Sequence, residues 1–205
     1  MATQHPAKGP AALPAITTVI LAGGLGTRMG GDKGLQLLHG RALLAWVLDN
    51  VGSQSEEVLL SANDKHHVYA AFGCRVIADE TPDWAGPLAG LQAALRGAQN
   101  DLVMSVPCDT PFLPPDLVSR LYGALGAAEA AAAVVAGRRQ PAIALYRKDV
   151  LPKLDAYLAA GGRKVNDWLN SLRLSEVEFE SAADFANINS QDELARANQT
   201  RQKQG

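Results

Sequence analysis

Val19-Ile20-Leu21-Ala22-Gly23-Gly24-Leu25-Gly26-Thr27-Arg28-Met29-Gly30-Gly31-Asp32-Lys33 decides how this chain of 205 residues is read. An apolar run stops at a turn that holds five glycines between positions 23 and 31, with Arg28 and Lys33 set among and after them. A backbone nearly free of Cβ atoms reaches φ > 0 without strain and can aim several N–H groups at one anion. Two cations beside those amides add charge where they converge. The pattern predicts a phosphate cradle at the end of a buried strand, the place where open α/β sheets bind ligands.

Two familiar cradles fail on spacing. A Walker loop, G-x-x-x-x-G-K-[ST], would begin at Gly26 and Gly31, but Asp32 stands where its lysine belongs and Gly34 follows Lys33. The dinucleotide fingerprint G-x-G-x-x-G finds Gly24 and Gly26 and then Met29, whose side chain does not permit close packing of helix on strand. The nearest acid at the expected distance for a ribose contact is Asp49, inside a predicted helix.

Outward from the loop, apolar stretches alternate between the two periods. Strands are expected at Thr17–Ala22, Glu57–Ala62, Arg75–Asp79, Leu102–Val106, Ala131–Val135 and Ala142–Tyr146, with Val177–Phe179 as an edge strand. Leu43, Leu44, Val47, Leu48 and Val51 mark a helix that Gly52 ends. Gly86–Gly90 opens another, with Leu91, Ala94, Leu95 and Ala98 inward. Helices follow at Pro114–Leu125, Lys148–Ala160 and Val165–Leu172. Ser190 with Glu193 caps a last one reaching Ala197. The alanine-rich segment from Gly126 to Gly137 suits helix or strand, and a loop followed by a strand is the reading adopted. This succession predicts an α/β fold: a single-domain, doubly wound, mostly parallel sheet over residues 15–198, with the Glu57 strand beside the first. Loose ends are expected at 1–14 and 199–205.

Composition sets bounds. With 47% hydrophobic residues and 20% charged, the chain can bury a full core. A net charge of −2 with scattered basic residues argues against a nucleic-acid binder. Cys74 and Cys108, far apart and outside any C-x-x-C, predict neither a zinc site nor a disulfide scaffold. No apolar run reaches the roughly 18 residues that a membrane span needs. Cleavage of the N-terminus as a signal peptide would destroy the glycine loop, so a cytoplasmic protein is expected.

The second chemical element is Val106-Pro107-Cys108-Asp109-Thr110-Pro111. Its carboxylate stands just past a buried strand, between prolines that stiffen the turn. Alone, Asp109 reads equally as a turn cap. Beside a phosphate cradle it reads as a ligand for Mg2+, which needs only one or two carboxylates when phosphates supply other oxygens. Cys108 has no histidine placed to activate it and is read as packing.

L-A-G-G-x-G-x-R-M-G-x-x-K, with P-C-D-T-P, resembles the nucleotidyltransferases, and most of all the molybdenum cofactor guanylyltransferases, from about Ile16 to Ala197. The resemblance implies transfer of GMP from GTP to the terminal phosphate of molybdenum-loaded molybdopterin, with release of pyrophosphate. It implies Mg2+ on Asp109, with Arg28, Lys33, Asp109, Asn187 and Asn189 serving catalysis. Leu21, Ala22, Gly23, Gly24, Lys33, Asn63, Asp79 and Asp109 would bind the nucleotide. Asn63 and Asp79 would otherwise be a turn residue and a helix cap. Asn187-Ile188-Asn189-Ser190 resembles the family's C-terminal asparagine motif, yet Asn189 and Ser190 serve equally as a helix cap. Gly86–Gly90 is expected in the pocket wall, while His66 and His67 are read as surface residues. Gln140-Pro141 departs from the His-Pro the family often carries. Transient contacts with proteins that deliver the pterin or accept the product are also implied. Three alternatives stay open. A cytidylyltransferase usually reads L-A-A-G, where Gly24 stands here; a sugar-phosphate nucleotidyltransferase commonly runs longer; a non-catalytic GTP-binding module would not need Asp109.

Overall fold

The computed structural model describes residues 13–22, 32–79 and 86–200. Gly23, Gly24 and Arg28 of the loop lie outside them. β1 (Ile16–Leu21) is followed by a 3₁₀ turn and a small hairpin, β2 (Leu37–Leu38) and β3 (Arg41–Ala42). Then come α1 (Leu43–Gly52), β4 (Glu57–Ser61), α2 (His66–Ala70), β5 (Arg75–Ile77), α3 (Pro87–Gly97), β6 (Leu102–Pro107) and α4 (Leu117–Leu125). β7 (Ala130–Val135), β8 (Arg138–Arg147), α5 (Leu151–Ala159), α6 (Val165–Asn170), β9 (Leu174–Phe179) and α7 (Gln191–Thr200) complete the order.

The main sheet runs β5-β4-β1-β6-β8-β7-β9. Every pairing is parallel except the two made by β8, so the expected mostly parallel sheet is observed. Apolar runs form the central strands because helices cover both faces. One core joins Ile16, Ile20, Leu60, Met104 and Val106 to α1, α2 and α4. The other joins Val19, Leu59 and Val103 to α3, α5 and α6.

The alanine-rich segment takes a whole strand, β7, buried along its length. Ala131 and Ala133 enter one core, and Ala130 and Ala132 the other. Packing on two faces overrides the helical preference of alanine. Ala136 (φ 49°) and Gly137 (φ 69°) then form a tight two-residue turn into β8. β8 starts four residues earlier than the Ala142 expected and takes in Gln140-Pro141. Pro141 is tolerated because the β7–β8 register shifts between Ala132 and Val134. The helix expected from Lys148 begins as a 3₁₀ turn, and α5 proper starts at Leu151, with Pro152 in its first turn. The last helix continues to Thr200.

The register positions the site. Leu21 pairs with Ser61 on one side and Pro107 on the other, and Ser61 pairs with Ile77. Four parallel strands therefore end flush, and the residues just beyond them leave the sheet along one edge. β8 runs the opposite way, so Gln140 and Pro141 begin at that edge.

Candidate active site

At this edge the ladder continues for one residue past each strand. Ala22 N donates to Ser61 O (2.9 Å), Ala62 N to Ile77 O (2.9 Å) and Cys108 N to Leu21 O (3.2 Å). Asp109 thereby emerges beside Ala22, and the Ile188 amide, donating to Asp109 O at 2.8 Å, fastens the C-terminal segment to it. Lys33 approaches from the far end of the glycine loop. Its Nζ lies 3.2 Å from Asp109 Oδ2 and donates to Asn189 Oδ1 at 2.8 Å. Three of the residues expected to serve catalysis, remote from one another in the chain, thus meet at one ammonium group.

Asp109 is only 7% exposed. Its Oδ1 is buried and has no hydrogen-bond partner among the described residues. A buried carboxylate oxygen without a donor is costly unless a ligand completes it. A hard oxygen donor at the mouth of a phosphate cradle has the chemistry a divalent cation requires, so the site fits such an ion.

Asn187 occupies a different place from Asn189. Its Oδ1 accepts from the hydroxyl of Thr110 (2.7 Å), which is fully buried. Asn187 is thus tied to the residue after Asp109. The reading of Asn189 and Ser190 as a helix cap divides between the two residues. Ser190 Oγ accepts from Glu193 N (3.2 Å), and Glu193 Oε2 accepts from Asn189 N (2.7 Å), leaving the Asn189 side chain to Lys33. Thr110 was not assigned a role from the sequence, although it sits inside the motif around Asp109.

Asn63 and Asp79 bind each other. Asn63 Nδ2 donates to Asp79 Oδ2 (2.7 Å), and Asp79 N donates to Asn63 Oδ1 (2.8 Å). The ring locks the loop after β4 to the loop after β5. Burial raises the Asp79 carboxyl above the usual range, while hydrogen bonds from Asn63 and Ser61 oppose that rise. Its carboxylate retains acceptor capacity. Lys65, in the left-handed region at φ 51°, forms an ion pair with Asp32 at 2.8 Å. This tie between the end of the glycine loop and the start of α2 has no signature in the sequence. Asp49 pairs with Arg41 on the surface of α1 (2.8 Å), consistent with excluding a dinucleotide site. Cys108 is buried against Gly34, and burial pushes its thiol up to about 12, so it stays protonated and unreactive. His66 and His67 are exposed.

A MobA-like NTP transferase domain matches residues 18–177. The chain belongs to that family. It is 46% identical over 187 residues to the molybdenum cofactor guanylyltransferase of Cupriavidus metallidurans, covering 87% of this chain and 92% of the relative. With the enzyme of that name from Burkholderia orbicola it shares 48% over 196 residues, 90% of this chain and 96% of the relative. The solved structure of molybdopterin-guanine dinucleotide biosynthesis protein A from Archaeoglobus fulgidus superposes with a TM-score of 0.76. At 23% identity, over 91% of this chain and 99% of that one, it has the same fold. In this MobA-like chain the strand-end crevice is the candidate site for nucleotidyl transfer.

The C-terminal helix is anchored just after the segment that carries Asn189. Asn198 Oδ1 accepts from His39 N (2.6 Å) and Nδ2 donates to Leu37 O (3.3 Å), clasping α7 to the β2–β3 hairpin. Leu38, Leu43, Ile188 and Leu194 fill the joint. Asn198→Ala removes both bonds, each worth about 1 kcal/mol net. Amide exchange along α7 should quicken roughly tenfold or more while β1 and β6 stay protected. Unchanged exchange in α7 would show that the apolar joint alone holds the helix.

Proposed function

We propose that the chain transfers GMP from GTP to the terminal phosphate of molybdenum-loaded molybdopterin, releasing pyrophosphate and forming the guanine dinucleotide cofactor. The observation that carries this reading is the meeting of Lys33, Asp109 and Asn189 at the flush strand ends of a MobA-like chain. Lys33, with Arg28 and the amides of Gly23 and Gly24, would neutralise the leaving phosphates. Asp109, through Oδ1, would hold Mg2+, which when bound offsets charge on the reacting phosphate. The acceptor is already an anion, so its attack needs position and charge relief more than a strong base. Asn187 would act by fixing Thr110 beside Asp109, and Asn189 by orienting Lys33. No helix among the described residues is long and apolar enough to cross a membrane, and we assign the reaction to the cytoplasm.

Asp79, steadied by Asn63, would accept the N1–H and N2–H donors of guanine, assisted by backbone carbonyls at Leu21 and Ala22. Asp79→Asn should raise the KM for GTP by about tenfold to a hundredfold with a smaller effect on kcat. Steady-state rates with GTP and CTP check this, and an unchanged KM for GTP would remove Asp79 from base recognition.

The decisive assay supplies GTP or CTP, Mg2+, and either molybdenum-loaded molybdopterin or a sugar phosphate. Pyrophosphate and guanine dinucleotide in equal amounts, from GTP and the pterin only, are expected. Turnover of CTP or of the sugar phosphate instead would favour those transferases. GTP binding without turnover in any mixture would favour a binding module.

A further inference from the structure

The Lys33 ammonium stands where a cation would be expected. It touches Asp109 Oδ2 and Asn189 Oδ1, two hard oxygens suited to a divalent ion, while Asp109 Oδ1 has no donor among the described residues. Among the described residues no group of three or more Asp, Glu, His or Cys side chains is placed to hold a metal. Asp109 belongs to no such group, and its charge is already offset by a partner 3.2 Å away. A free divalent ion arriving at Oδ1 would meet a fixed positive charge within a few ångströms and too few oxygens to replace its waters.

We infer that Lys33 is an internal stand-in for the metal, and that it couples metal binding to nucleotide binding. Phosphate oxygens attract the ammonium away from Asp109 and also supply the oxygens that one carboxylate cannot. The two ligands therefore enter together, each raising the affinity of the other by the same factor. Lys33 is suited to exchange: its side chain is 30% exposed, against 10% for that of Asp109, and its long stem lets the charge swing while the carboxylate stays fixed. The coupling also guards the site, since a metal-free Asp109 is never left bare in a buried position.

The inference rests on the transferase reading only for the nature of the ligands, and its test needs no turnover. Mn2+ is titrated by electron paramagnetic resonance into the full chain without nucleotide. The wild-type protein should bind it weakly, and Lys33→Met should tighten binding by about tenfold or more, through removal of one nearby positive charge. Lys33→Gln should do the same, while Lys33→Arg, which keeps the charge, should remain weak. Lys33→Met combined with Asp109→Asn should return to the wild-type level. Circular dichroism checks that each variant is folded. Equal Mn2+ affinity in wild type, Lys33→Met and Lys33→Gln would overturn the proposal. So would a gain in Lys33→Arg as large as in Lys33→Met, or one that survives Asp109→Asn. If any of these occurs while the wild-type chain transfers GMP, only the stand-in role is lost. If the Mn2+ results hold but no transfer is found, it is the transferase reading that fails.

Discussion

Asp109→Asn should abolish GMP transfer, by on the order of a thousandfold or more, and leave the fold in place. The loss is large because Oδ1 is buried, lacks a donor among the described residues and is the carboxylate oxygen best placed for a divalent ion. An amide cannot give that ion a charged oxygen, and removing one preorganised charge from a transfer site typically costs about a hundred- to a thousandfold by itself. The fold should survive because the bond from Ile188 N goes to the Asp109 backbone carbonyl, which the substitution keeps. Losing the partly exposed ion pair to Lys33 costs up to about 1 kcal/mol, or roughly 3 °C in melting temperature for a chain of this size. Turnover measured beside thermal melting separates the two effects. Metal-dependent turnover near the wild-type rate would remove Asp109 from the mechanism, and a collapse in melting temperature would make its role structural.

Gly90→Ala should be the most damaging of the glycine-to-alanine changes in the described helices. In a helix interior alanine normally stabilises by about 1 kcal/mol over glycine. At Gly90 of α3, a Cβ would run into Ser61 Oγ, come to 2.9 Å from Leu21 Cδ2 and to 3.1 Å from Ser61 Cβ. Ser61 is buried in β4 between β1 and β5 and has no room to retreat. The helix must lift from the strands, and overpacking of this kind costs about 1–3 kcal/mol net. Leu21 and Ser61 are also the last residues of their strands, so the crevice should distort and GTP binding weaken. Chemical denaturation should show the loss, and Ser61→Ala, by deleting the colliding hydroxyl, should recover part of it. A stability equal to or above wild type would mean that α3 does not sit this close.

The glycine loop and the acid after the fourth long strand were legible because each is local. A run of apolar residues broken by glycines, or by Pro-Cys-Asp, carries its meaning in consecutive positions. The capping box of Ser190 and Glu193 was legible for the same reason, and the helical spacing of Leu43, Leu44, Val47 and Val51 places α1 directly. The identity of β7 was harder, since four consecutive alanines, Ala130–Ala133, follow Glu129 and two more, Ala127 and Ala128, precede it. Only the presence of a core on each face makes a strand of them. Pro141 within β8 and the reversed direction of that strand depend likewise on pairings with β6 and β7.

By itself, then, the sequence determined which short segments bear chemistry and the alternation of strand and helix that puts them at strand ends. Backbone conformation and amphipathic period are properties of neighbours in the chain. Which of those segments meet depends on packing between distant parts of the chain. Lys33 reaches Asp109 and Asn189 because β6 lies beside β1 and because α7 is clasped to the hairpin that follows Lys33. Asn63 and Asp79 complete each other because β4 and β5 end flush. These meetings are set by strand order, register and packing between residues remote in sequence, and no local preference encodes them.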